Sequence, residues 1–73
     1  MGLTEIQKEI IVLVIEGKTN KQIADRLGWS IDKIKKELKI IYKIFSIKTP
    51  DAHTKRAILV REITRIEMSK LML

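Results

Sequence analysis

Apolar residues recur along this chain at three- and four-residue steps rather than at every second position. That spacing lays one face of an α-helix against a core. Gly17, Gly28 and Pro50 divide the pattern into four stretches. Fourteen isoleucines would favour strand by propensity alone, but there is no useful period-two alternation and no Asn-Gly or Asp-Gly hairpin turn. The pattern predicts helices throughout.

The first helix is predicted to begin after Thr4. Thr4 and Gln7 have the spacing of a capping box, in which each side chain satisfies a backbone N–H that the helix leaves unpaired. Leu3 is placed for a hydrophobic staple. Ile10, Ile11, Leu13 and Val14 face inward, and Gly17 supplies the left-handed residue that ends the helix. Thr19 and Gln22 repeat the box for a short second helix with Ile23, Ala24 and Leu27 inside, stopped at Gly28. Ser30 caps a third helix, with Asp32 in its first turn complementing the dipole. Its buried stripe is Ile34, Leu38, Ile41 and Phe45. Thr49-Pro50-Asp51 is predicted to open a fourth helix, with Thr49 as cap and Pro50 at its first position. That helix carries Ile58, Leu59, Ile63 and Ile66 and extends toward Leu73. With no wide linker, residues 1–73 form one all-α domain, its helix-turn-helix core at about 19–45 and its last helix at about 50–70.

A short helix, a tight turn beginning with Gly28, and a longer helix make a helix-turn-helix. Ala24 is small where the two helices cross, and Gly28 adopts a turn conformation that penalises a Cβ. In the DNA-binding form of the motif the second helix enters the major groove. The outward face of the third helix therefore decides the reading. It presents Lys33, Lys35, Lys36, Lys39 and Lys43, interrupted by Glu37. Lysine donates equally well to guanine edges or to phosphate.

Charge sharpens this picture. The 73 residues hold 15 basic and 9 acidic side chains, a net +6. Residues 1–32 carry four basic and five acidic groups, whereas residues 33–73 carry eleven and four. A neutral front and a cationic back suggest a polyanionic partner. At 45% hydrophobic, the chain is too apolar for a disordered basic tail.

Residues 3 to 47 resemble the LuxR-type (GerE/FixJ/NarL) helix-turn-helix domain. Leu3-Thr4 and Glu16-Gly17 match the family's opening, and Thr19-Asn20-Lys21-Gln22-Ile23-Ala24-Asp25-Arg26-Leu27 matches its scaffold helix, with Gln for Glu in the capping box. Ser30 matches the recognition-helix cap, Lys33-Ile34-Lys35 the Thr-Val-Lys signature, and Ile41-Tyr42 the Ile-Tyr segment. The resemblance implies a four-helix DNA-binding bundle whose long fourth helix is the dimer interface. It implies base-edge contacts from Lys35, Lys36 and Lys39. It places phosphate contacts at Asn20, Lys21, Ser30, Lys33 and Lys43.

The chain departs from that family at several points. Glu37 stands where a His is usual, so it either pairs with a lysine at i−4 or i+2 or reads a cytosine amine. Ile40 and Ile44 replace polar residues, and the usual Arg-x-x-Ala start of the fourth helix is out of register. No sensor domain precedes the motif, so the expectation is a stand-alone version. The apolar excess on the fourth helix (Leu59, Ile63, Ile66) reads as a homodimer surface that Met68, Leu71, Met72 and Leu73 would extend.

Single residues support blander readings. Trp29 in the turn is expected to lie over the small core, His53 to be exposed and uninvolved, and Tyr42 to pack by its ring with the hydroxyl outward. The leading function is sequence-specific binding of double-stranded DNA by a small cytoplasmic transcriptional regulator. The alternative is a protein-interaction module, either an anti-activator or the heterodimer partner of a full-length regulator, acting through the fourth helix. A sigma region-4-like fragment fits less well, because that pattern normally ends near the recognition helix and here a further stretch follows. No catalytic set, metal-ligand spacing or phosphate-binding glycine loop can be assembled, so neither an enzyme nor a cofactor is expected. The absence of cysteine excludes disulfides and thiolate metal sites. The longest apolar run is too short to span a bilayer.

Overall fold

The computed structural model describes the backbone of residues 2–72 and the side chains of residues 2–67. Four helices follow in order: α1 (Glu5–Ile15), α2 (Asn20–Leu27), α3 (Ile31–Ile44) and α4 (Ala52–Met72). Among the described residues there is no strand, and no helix is long and apolar enough to cross a membrane.

Both predicted capping boxes are formed. The Thr4 hydroxyl accepts from the Gln7 N–H at 3.1 Å, while the Thr4 N–H donates to Gln7 Oε1 at 3.0 Å. At α2 the Thr19 and Gln22 pair repeats this at 3.1 and 2.8 Å. The Ser30 hydroxyl caps α3 through the Lys33 N–H at 3.1 Å. The helix ends share a second device, in which a left-handed residue lets the next N–H reach back into the helix. Gly17 (φ +83°) does so for α1 and Gly28 (φ +71°) for α2, where the Trp29 N–H donates to the Ala24 carbonyl at 2.9 Å. At the end of α3 a serine takes the role. Ser46 sits at φ +56°, and the Ile47 N–H donates to the Tyr42 carbonyl at 2.9 Å.

The start of α4 differs from expectation. Thr49 is not its cap and Pro50 is not its first residue. Asp51 caps the helix, its carboxylate accepting from the His53 N–H at 3.1 Å and the Thr54 hydroxyl at 2.8 Å. An aspartate two residues later outcompetes the threonine because it offers two charged acceptors to the unpaired groups of the first turn. Those bonds hold the Asp51 carboxyl below its ordinary value.

All four helices contribute to one core built around Ile10, Ile23, Ile34, Ile41 and Leu59. Trp29 and Phe45 pack against it, half-buried, and Tyr42 is buried. Leu59 requires a correction. It was assigned to a partner-facing stripe, but it is 0% exposed inside the monomer and has no surface to offer. The first half of α4 closes the core instead. Ile63 is half-buried and packs against the same core, and Ile66, farther along, is half-buried. The expected extension through Met68, Leu71, Met72 and Leu73 lies outside the described side chains.

Candidate nucleic-acid interface

The α2–α3 pair makes the most extensive helix–helix contact among the described residues, joined by the turn Gly28-Trp29-Ser30. Ala24, 2% exposed, sits where they cross. This fixes the direction in which α3 presents its outer side.

At roughly 100° per residue, Lys35, Lys36, Lys39 and Lys43 occupy a sector about 100° wide. Lys36 lies about 180° from the middle of the buried stripe, while Lys35 borders the core beside Tyr42. All four are exposed, and among the described residues none is paired with a carboxylate. The structure thus brings the three candidate base readers, Lys35, Lys36 and Lys39, onto one face.

Lys33 and Glu37 lie on a different flank of α3, turned toward α1. Glu37, with its side chain 15% exposed, accepts from Gln7 Nε2 at 3.1 Å and lies 3.9 Å from the Lys33 ammonium at i−4. Of the alternatives for Glu37, pairing at i−4 is the one formed. Its carboxylate is drawn off the lysine face. The Lys33 ammonium also stands over the Trp29 ring, 5.1 Å from its centroid, so this cation is engaged from two sides.

Lys21 and Ser30, at the N-terminal ends of α2 and α3, are exposed. Asn20 is more constrained, since its Oδ1 accepts from Arg56 Nη1 at 2.8 Å. Arg56 also donates to the Lys18 carbonyl, tying α4 to the start of α2. This tie was missed by the sequence reading. Its one signal was Lys55-Arg56 near the start of a helix, where cations work against the dipole. The Lys55 ammonium lies 5.7 Å from the centroid of the Tyr42 ring. Burial pushes the Tyr42 phenol up from its ordinary value of 10.0, and the nearby Arg56 charge opposes that shift. His53 is exposed, and no cluster of three or more metal-ligating side chains exists among the described residues.

Comparison with known proteins supports the helix-turn-helix expected from the residues through a related family, without a match to the LuxR type itself. The model of Sigma-70, region 4 matches residues 1–39, more than half of the chain. The match spans α1, α2 and most of α3 and leaves α4 outside it. No curated protein and no solved structure matches the chain. The chain continues past the matched segment. That continuation includes α4, which packs onto the unit through Leu59 and Arg56 rather than replacing any part of it. The matched segment holds both capping boxes, the Gly28 turn and the lysine-bearing helix, and on that match the chain belongs to the Sigma-70, region 4 family of helix-turn-helix domains, which bind DNA in transcription.

Proposed function

We propose that this protein binds double-stranded DNA sequence-specifically as a small cytoplasmic transcriptional regulator, with α3 in the major groove. The observation that carries the reading is the sector of four exposed, carboxylate-free lysines on the second helix of the motif. Lys36 and Lys39 reach base edges from its outer part, with Lys35 beside them. Lys21, Ser30 and Lys43 contact phosphates on either side, and Lys33 and Asn20 help from the positions where Trp29 and Arg56 hold them. The LuxR-type resemblance supports the same placement beyond residue 39, through Ile41-Tyr42.

A homodimer would set two copies of α3 in successive major grooves. Ile66 on α4 is its main contact residue, with the exposed part of Ile63 beside it, since Leu59 is committed to the core and Ile63 packs against it. Roughly three phosphate contacts per subunit give a slope of about −5 for log K against log[salt]. Fluorescence anisotropy of a labelled duplex across a salt series tests this. Affinity that is flat in salt rules the mechanism out. A chain that shifts no DNA at low salt yet forms a stable complex with another helical protein is the interaction module instead.

A further inference from the structure

We infer that the DNA-binding surface continues onto α4, where Lys55 completes a cleft that grips a backbone phosphodiester beside the major-groove helix. The inference rests on the DNA-binding reading above and assigns a role to a helix that the family match leaves out.

The cleft has a volume of about 290 Å³ and opens where α3, the start of α2 and the start of α4 meet. Lys35 and Lys39 line it from α3, Lys55 and Arg56 from α4, and Tyr42 and Leu38 form its apolar floor. No carboxylate lines it. Elsewhere Lys8 pairs with Glu5, Lys33 with Glu37 and Arg65 with Glu62, while the neighbouring hollow of Lys18, Lys21 and Arg56 also lacks a carboxylate but holds no lysine of α3. Four cations around one small, partly desolvated volume repel each other, and an anion between them turns that repulsion into attraction.

The four do not act alike. Arg56 is already committed to Asn20 and the Lys18 carbonyl, so it fixes the wall and supplies charge rather than free donors. Lys55 has its ammonium over the Tyr42 ring and no acidic partner, which leaves its N–H groups for a ligand. Lys35 faces it from the edge of the lysine sector, and Lys39, nearer the middle of that sector, is shared between the cleft and the groove. Three point-charge donors without an arginine fork suit the single charge of a phosphodiester in passing, rather than tight capture of a free dianion. The nearest helix terminus adds nothing, because Asp51 already occupies the His53 N–H. A phosphodiester strand running past α3 would lie along this cleft.

The test compares the wild-type chain, Lys55→Gln, Lys55→Arg and, as a control for net charge, Lys8→Gln, each binding a random-sequence duplex and a selected one by anisotropy across a salt series. Lys55→Gln is expected to weaken both duplexes alike and to reduce the magnitude of the salt slope by about one unit per subunit. Lys55→Arg and Lys8→Gln should keep the wild-type slope, and thermal melts confirm that each variant folds. A wild-type slope in Lys55→Gln, with Lys36→Ala still impaired, overturns this inference and leaves the DNA-binding reading standing. Failure of the wild-type chain to bind any duplex overturns both. Inorganic phosphate is titrated separately and followed by the backbone amide shifts of Asn20, Lys39 and Lys55. Saturable phosphate binding that Lys55→Gln removes, with duplex binding unchanged, would assign the cleft to a free anion and overturn the backbone role. No saturable shift, together with the lost unit of slope, supports it.

Discussion

Gln7 and Glu37, thirty positions apart, meet through a side-chain hydrogen bond of 3.1 Å between α1 and α3. Gln7 is 5% exposed and uses both ends of its amide, since its oxygen also accepts from the Thr4 N–H. Glu37 in turn lies near Lys33, whose ammonium covers Trp29 in the turn. One run of polar contacts therefore leads from the cap of α1 to the bend of the helix-turn-helix. Gln7→Ala strands a partly buried carboxylate and removes half a capping box, and should cost about 1–3 kcal/mol. The expected drop in melting temperature is about 4–8 °C per kcal/mol for a domain of this size. A variant that melts with the wild type would show that water replaces the amide at no cost.

Two backbone positions make opposite predictions. Gly28 sits at φ +71° with nothing within 4 Å of where a Cβ would stand, so Gly28→Ala carries only the conformational penalty, about 1 kcal/mol. Ser46 occupies the same left-handed region with a Cβ already in place. Ser46→Gly should relieve about 0.5–1 kcal/mol of that strain, less what the freer unfolded chain takes back. Urea midpoints moving in opposite directions would bear this out, and a loss in Ser46→Gly as large as that in Gly28→Ala would refute the strain at Ser46.

Leu59 separates the core of α4 from any partner surface. Leu59→Ala opens a cavity in the centre of the monomer and should cost about 2–5 kcal/mol, independent of protein concentration. Ile66→Asp should leave a monomer folded and weaken only self-association. Denaturation and sedimentation at two concentrations separate the two effects. Stability of Leu59→Ala that recovers as concentration rises would return that residue to an interface.

The caps, glycine stops and helix order were legible because each rests on a local rule. Thr4–Gln7, Thr19–Gln22 and Ser30 need only their neighbours in sequence to satisfy unpaired N–H groups. The lysine sector was legible for the same reason, since helical period alone puts residues 35, 36, 39 and 43 together. The tie between Asn20 and Arg56 was not, because it depends on how α4 returns across the bundle, which no local spacing encodes. Leu59 illustrates the same limit: periodicity shows which side of a helix is apolar, but not whether that side meets its own core or another chain. The start of α4 failed on a nearer competition, between two plausible caps two residues apart.

Asp51 ties acid stability to the start of α4. Its two hydrogen bonds favour the ionised carboxyl, so its folded pKa lies below the ordinary 3.8. A depressed carboxyl stabilises the fold at every pH above the unfolded value. That contribution fades as pH falls through 3.8 toward the folded value, and is gone below it. Asp51→Asn keeps a capping oxygen but cannot titrate. It should therefore flatten this part of the acid limb of a pH–stability curve, and an unchanged limb would mean that other carboxylates set it.

Lys36 is the sharpest test of how α3 meets DNA. It points farthest from the buried stripe, has no acidic partner and touches no part of the core. A lysine in that place reads a base edge or pairs with a backbone phosphate. If it reads one, Lys36→Ala should cost about 1–3 kcal/mol on the preferred site and much less on random duplex, narrowing the gap between them. Lys21, at the start of α2, should behave in the opposite way, and its alanine variant should weaken every duplex by the same factor and flatten the salt dependence by about one unit. Selecting bound sequences from a random pool with wild type and Lys36→Ala supplies the comparison. Relaxed preference at one base position in the variant fixes the register of the helix in the groove. The same loss from both variants on random DNA would mean that α3 lies along the backbone and that sequence is read elsewhere.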